Sequence, residues 1–265
     1  MNKIKIIFQV LFLVCSLNSC QNYESVDLID FDKNNKYDGT IWNYLQKGET
    51  NLNLHFDSLA HVIGVSADLQ ALLDDENARL TLFAIPDECF TSVLNTLNMY
   101  RKKNDLGAPL TLDSLLTKEE IIIHDTIVSG INNRDTIFND RIYNYPKEMR
   151  ELTCRYLFDT MYDTNMIEAD GGEVIAESYD YSYSMGLTAS RHAAEGAVAS
   201  GIKFMVFSDC NNSQLTSKWA QSDVFRFDIH TRNGIVHVLS TGHEFGFDEF
   251  VTRFNNFGNE YKTTE

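Results

Sequence analysis

The chain has 265 residues, room for one large domain or two small ones, and its 43% hydrophobic composition supplies a sizeable core and excludes a disordered protein. Lysine and arginine total 22 against 38 acidic residues, a formal charge of -16 with a pI near 4.8, so a phosphate backbone is repelled and no nucleic-acid partner is expected. Three prolines, 14 glycines and five cysteines exclude collagen-like, low-complexity and disulfide-scaffold architectures.

Lys3 and Lys5 open the chain, and Ile6 to Leu17 form an apolar run broken only by Gln9 and Ser16. A dozen or so apolar residues fall short of the ~20 that a spanning helix needs, so the segment reads as a secretion signal. Leu17-Asn18-Ser19-Cys20 resembles a bacterial lipoprotein signal of Bacteroidetes type, with Asn18 departing from the usual small or branched residue. The resemblance implies a signal peptide over 1–19 and lipidation of Cys20; ordinary secretion with Cys20 as an incidental thiol is the alternative. Acyl chains contribute ~0.8 kcal/mol per buried CH₂, enough in combination to hold a protein on a membrane without a spanning helix. Losing Lys3 and Lys5 leaves 20 basic residues against 38 acidic ones, a charge of -18. Gln21, where an aspartate would retain some lipoproteins at the inner membrane, favours the outer membrane of the cell envelope, with surface exposure left open. Cys89, Cys154 and Cys210 then allow at most one disulfide within the chain, and none is expected to be essential.

Residues 20–36 are rich in acids and amides without a regular apolar period and read as a tether. From Thr40 the spacing becomes helical: Ile41, Tyr44 and Leu45 share a face, and Phe56, Leu59, Ala60 and Ile63 follow at i, i+3, i+4, i+7. Gly64 is expected to end that helix and Ser66 to cap the next, in which Leu69, Leu72 and Leu73 line one side. Leu80 to Ala84 suits a buried strand stopped by Pro86, with Asp87 placed to cap a helix carrying Phe90, Val93, Leu94 and Leu97. Leu112, Leu115 and Leu116 suggest a short helix capped by Thr111 or Asp113. Ile121 to Val128 fits either a helix end or a strand, and Asn132 to Arg141 looks polar and turn-rich.

Later segments look like strands: Val174 to Ala176, Lys203 to Ser208, and Val224 to Thr231, where Phe225, Phe227 and Ile229 alternate with Arg226, Asp228 and His230. Asn233-Gly234 signals a hairpin returning through Ile235 to Leu239. Tyr179, Tyr181 and Tyr183 would share one strand face, either stacking on a ligand or covering the core with their hydroxyls at its rim. Phe245, Phe247, Phe250, Phe254 and Phe257 read as a docked amphipathic tail. Helices early and strands late indicate α+β.

Two blocks resemble the fasciclin-like (FAS1) family. Leu80-Thr81-Leu82-Phe83-Ala84-Ile85-Pro86-Asp87-Glu88-Cys89-Phe90 is similar to its first block, with Ile85 inserted before the proline. Asn233-Gly234-Ile235-Val236-His237-Val238-Leu239 is similar to its closing strand, with Ser240 in place of the usual aspartate. The residues carrying the likeness are Thr81, Phe83, Ala84, Pro86, Asp87, Phe90, Asn233, Gly234, His237 and Val238. Ile123-His124 and Arg155-Tyr156-Leu157 are both candidates for the family's central block. The second is preferred, which places an insertion within about 104–150. The resemblance implies an α+β FAS1-like wedge of strands flanked by helices over 37–258, a single domain with an insertion, without a catalytic centre or cofactor.

The chemistry-bearing residues give no motif against that expectation. His230, His237 and His243 lack metal-ligand spacing, and His237 between two valines is expected to be structural. There is no Gly-x-Ser-x-Gly elbow. Cys89 at a helix start could have a depressed pKa, although such a cysteine more often packs. Asp248 and Glu249 read as solvated surface, and Gly196 with Gly201 makes no phosphate loop. The expected function is a non-catalytic cell-envelope lipoprotein for adhesion or for binding an extracellular protein or glycan, touching the membrane through its lipid. The alternatives are an envelope carbohydrate-processing hydrolase and an accessory subunit of an outer-membrane complex.

Overall fold

The computed structural model describes residues 35–117, 120–129, 135–192 and 201–260; the expected signal peptide, Cys20 and the expected tether up to residue 34 lie outside the described residues, as does Gly196. The compact unit begins at Asn35. Its first residues run beside a strand end, the His230 amide donating to the Asn35 carbonyl (2.7 Å) and the Tyr37 amide to the His230 carbonyl (2.8 Å). The last two positions of the expected tether therefore belong to the fold.

Helix α1 (Ile41–Lys47) is opened by a capping box between Thr40 and Asn43 and buries Ile41, Trp42, Tyr44 and Leu45. Helices α2 (Asp57–Val65) and α3 (Ala67–Asp74) meet at Ser66. Gly64 does not end α2: a glycine inside a helix costs only about 1 kcal/mol, and the break comes where Ser66 turns extended. Ser66 makes no side-chain cap bond to α3. Strand β1 (Leu80–Ala84) is buried at every position, and α4 (Asp87–Lys103) buries Cys89, Phe90, Val93 and Leu97. The short α5 (Leu112–Thr117) is capped by Thr111, whose hydroxyl accepts from the Ser114 amide (3.3 Å).

The open question at 121–128 resolves as a strand. β2 (Ile121–Ser129) pairs antiparallel with β3 (Asp135–Tyr143) in a separate two-stranded ribbon, so the polar run after Asn132 is strand from Asp135 onward. Three consecutive isoleucines favour extended backbone once a partner strand is present. After α6 (Tyr145–Cys154), capped by Asn144, come β4 (Leu157–Phe158) and α7 (Thr164–Ala169). The remaining strands are β5 (Glu173–Glu177), β6 (Ser184–Arg191), β7 (Lys203–Asp209), β8 (Ala220–His230) and β9 (Gly234–Leu239), before α8 (Phe250–Phe254).

The main sheet has the order β4-β1-β9-β8-β7-β6-β5. Only β1 and β9 run parallel; every other neighbouring pair is antiparallel. The architecture is α+β, a mostly antiparallel sheet flanked by helices. Its centre is an aromatic cluster, in which Phe83 stacks on Phe207 (4.0 Å) and on the His237 ring (4.9 Å).

Four sequence expectations change in register. The alternation along β8 is broken by irregular pairing between Val224 and Ile229, and Asp228 has a φ of 58°. Val224 and Ile229 are buried while Phe225 is half exposed, because the bulge moves the inward face from even to odd positions. Arg226 turns inward to pair with the buried Glu49, which also accepts from the Tyr44 hydroxyl. Asn233-Gly234 marks the hairpin, but the Thr231 amide donates to the Gly234 carbonyl (2.9 Å), so the turn is centred on Arg232-Asn233. Tyr179, Tyr181 and Tyr183 do not lie on a strand; left-handed φ values at Asp180 (69°) and Ser182 (51°) fold them into a turn whose rings pack against the core. Phe247 precedes α8 in a left-handed conformation (φ 57°), so the buried Phe245 and Phe247 reach the core from a turn.

Candidate functional site

The residues of the two family-like blocks are joints of the fold. β1 and β9 are adjacent strands, with Leu80 opposite Gly234 and Ala84 opposite Val238. The Thr81 hydroxyl donates to the Thr160 carbonyl (2.7 Å) and accepts from the Tyr162 amide (2.8 Å). Asn233 is fully buried: its Oδ1 accepts from the Ile41 amide (2.9 Å) and its Nδ2 donates to the carbonyls of Leu73 (2.9 Å) and Asp75 (3.0 Å). Gly234 needs no unusual backbone angle; a Cβ there would lie 2.3 Å from the Leu80 carbonyl oxygen.

Asp87 does not cap its own helix, where Pro86 holds the N-cap position. Its carboxylate accepts from the amides of Ser58 (2.7 Å) and Asp57 (3.3 Å) at the start of α2. Phe56 at the N-cap of α2 has no side-chain oxygen to offer, so the cap comes from another helix. Phe90 packs on Phe245 (4.5 Å), and Ala84 and Val238 are fully buried.

His237 accepts at Nδ1 from the Asp228 amide (3.2 Å), so Nε2 carries the proton and donates to the Tyr162 carbonyl (2.8 Å). Burial lowers its pKa, and the ring is a neutral structural pin. Cys89, Cys154 and Cys210 are free and buried, and burial pushes the Cys89 thiol up to about 12 rather than down. Its start-of-helix position is outweighed by desolvation, so it is not an activated nucleophile.

Of the Asp248–Glu249 pair, Asp248 is exposed as expected, but Glu249 is not simple surface. Glu249 pairs with Arg155 (2.6 Å) and Arg253 (2.7 Å), and Arg155 also binds Asp209 (2.6 Å) while being only 1% exposed. The Arg155 guanidinium lies 4.1 Å from the centre of the Tyr183 ring. Tyr183 donates to Glu151, which with Glu148 completes the partners of Arg253. Burial pushes the Asp209 carboxyl up against the pull of the Asn211 amide and Arg155. This network ties α6, β7 and α8 together, and it occupies Tyr183, one of the three tyrosines considered for ligand stacking. The sequence signal for it is a lone arginine within Cys154-Arg155-Tyr156-Leu157, an otherwise apolar run.

Beside this network a pocket of about 440 Å³ opens between the start of β8 and the 240–248 turn. Gln221, Ser222, Asp223, Ser240, His243, Glu244, Phe247 and Asp248 supply its lining side chains of note. The Ser240 amide donates to the Asp223 carbonyl (2.9 Å), fixing the turn to the strand. His243 is 5% exposed, and its Nε2 lies 2.8 Å from the Tyr156 hydroxyl. Burial takes its pKa down to about 3. The Glu244 carboxyl is pushed up by burial and then by the charge of Asp248. Among the described residues no group of three or more histidines, cysteines or carboxylates is arranged to hold a metal ion. Sequence reasoning singled out His243 only as a rejected ligand, because the pocket is assembled from positions on two separate segments.

No family model matches the chain, and no curated protein sequence does. Among solved structures it is similar to a FAS1 domain pair. That structure is of the insect cell adhesion molecule fasciclin I, with a TM-score of 0.44 and 15% identity, covering 76% of this chain and 49% of that one. The chain thus spans about half the length of the fasciclin I pair it matches.

Proposed function

We propose that this chain is a cell-envelope lipoprotein, held by lipid on Cys20, whose folded part is a FAS1-like domain that binds an extracellular protein or polysaccharide without catalysing a reaction. The fold assignment is supported by the pairing of the two family-like blocks as neighbouring strands, although some 150 residues separate them in sequence. The observation that carries the binding reading is the open polar pocket at the 240–248 turn. Its imidazole is engaged with Tyr156 in a fixed internal bond rather than set against a nucleophile.

Two measurements test the reading. Cys20→Ala should release the protein from the membrane fraction and abolish incorporation of a labelled fatty acid. The full chain in detergent should be retained on at least one member of a glycan array or a panel of immobilised matrix proteins. Retention on neither, with hydrolysis of a polysaccharide instead, favours the carbohydrate-processing enzyme; co-purification with a transporter and no such retention favours the accessory subunit.

A further inference from the structure

The hydrogen bonds around Tyr156 fix the proton position on His243. The Tyr156 oxygen accepts from the Gly246 amide (2.8 Å) and lies 2.8 Å from His243 Nε2. The buried hydroxyl has no other acceptor in reach among the described residues, so it donates its own hydrogen to Nε2. The imidazole is neutral, so its proton sits on Nδ1. Nδ1 makes no hydrogen bond among the described residues, although the side chain is almost fully buried and lines the pocket. A donor in that position is left for something that enters the pocket.

The other lining groups define what that is. No lysine or arginine lines the pocket, while Asp223, Glu244 and Asp248 do, so an anion is repelled. An ammonium group would suit the carboxylates but would leave the Nδ1–H donor unanswered. A sugar hydroxyl both donates and accepts, and so satisfies the carboxylates and the imidazole together. The Ser222 hydroxyl, which donates to the Asp223 carbonyl (3.4 Å), can still accept, and the Ser240 hydroxyl, which accepts from the Gly242 amide (3.3 Å), can still donate. The volume lies within the range of small-ligand pockets.

We infer that this pocket binds a neutral sugar residue, with His243 Nδ1–H donating to one hydroxyl and the carboxylates of Asp223, Glu244 and Asp248 accepting from others. The inference rests on the binding reading above and narrows it to one site and one ligand class.

The test is a titration of the ¹⁵N-labelled full chain in detergent, following histidine ring nitrogens, with neutral methyl glycosides of glucose, galactose and mannose and, separately, with n-butylammonium. The free protein should show His243 protonated on Nδ1, and at least one glycoside should shift that signal. Glu244→Gln and Asp248→Asn should each weaken the glycoside roughly tenfold, because a neutral amide oxygen accepts more weakly than a carboxylate. These two rim variants leave the Tyr156–His243 bond in place, so they remain informative should a His243 variant fail to fold. An Nε2-protonated ring, no response to any glycoside, or binding of butylammonium alone overturns the inference. Retention on a polysaccharide or matrix protein that Glu244→Gln leaves unchanged would overturn the pocket while the general binding reading stands; no retention at all removes both.

Discussion

Arg155 sits at the end of α6 among apolar neighbours, and its buried charge is balanced by Asp209 and Glu249. Arg155→Met should leave the buried Asp209 without a counter-ion and cost about 3–5 kcal/mol in a urea unfolding experiment. Adding Asp209→Asn to that variant should recover part of the loss, which measures the stranded charge directly. The buried histidines set the acid response. His237 and His243 are neutral because burial holds each below the ordinary 6.5, His243 down to about 3. The unfolded chain therefore takes up protons below pH 6.5 that the fold does not, and stability falls as pH drops through that value, each ring adding a slope of up to about 1.4 kcal/mol per pH unit. For Glu151 and Glu249 burial pushes upward, but the hydrogen bonds from Tyr183 and Arg253 to the first, and from Arg155 and Arg253 to the second, hold both below 4.5. Their contribution is present above that pH and is lost as pH falls below it. Urea midpoints should thus decline from near pH 6.5 and steepen below 4.5; a flat profile down to pH 5 would contradict neutral buried imidazoles. Of these roles only the structural one of His237, set between two valines, was legible in the sequence; those of His243 and Arg155 were hidden, because a histidine or arginine letter does not say what will face it.

At the scale of elements, β1 and α4 were legible because a continuous apolar run, a proline and a 3.6-residue period are local signals. The β8 alternation was legible only up to its bulge, since an irregular pairing depends on what β9 and Glu49 require rather than on β8 itself. Gly234 is a related case: the hairpin was visible, but the glycine serves the close approach of β1. Gly234→Ala should cost about 1–3 kcal/mol or more by overpacking, seen as a lowered thermal midpoint, although the substitution is compatible with the turn. Asp87→Ala should cost about 1 kcal/mol, the value of a lost helix cap. Hydrogen exchange should then quicken at the start of α2, near Ser58, rather than in α4; the reverse pattern would show that Asp87 caps its own helix after all.

At the scale of the molecule, the folded unit starts earlier than composition suggests. A chain starting at Asp38 should be less stable than one starting at Asn35 by about 1–3 kcal/mol, because it loses the two backbone bonds to His230, and paired urea titrations would show the difference. The sequence by itself determined the α+β class, the early helices, the location of the hairpin and the burial of the two family-like blocks. These follow from periodicity and turn chemistry, which act over a few residues. Only the tertiary structure decided that those blocks lie side by side, that Asp87 caps a different helix, that Glu249 is part of an ion network, and that His243 lines a pocket while bonded to Tyr156. Each of these joins residues from distant segments, and whether a polar group is satisfied, stranded or available depends on the partners that folding brings to it.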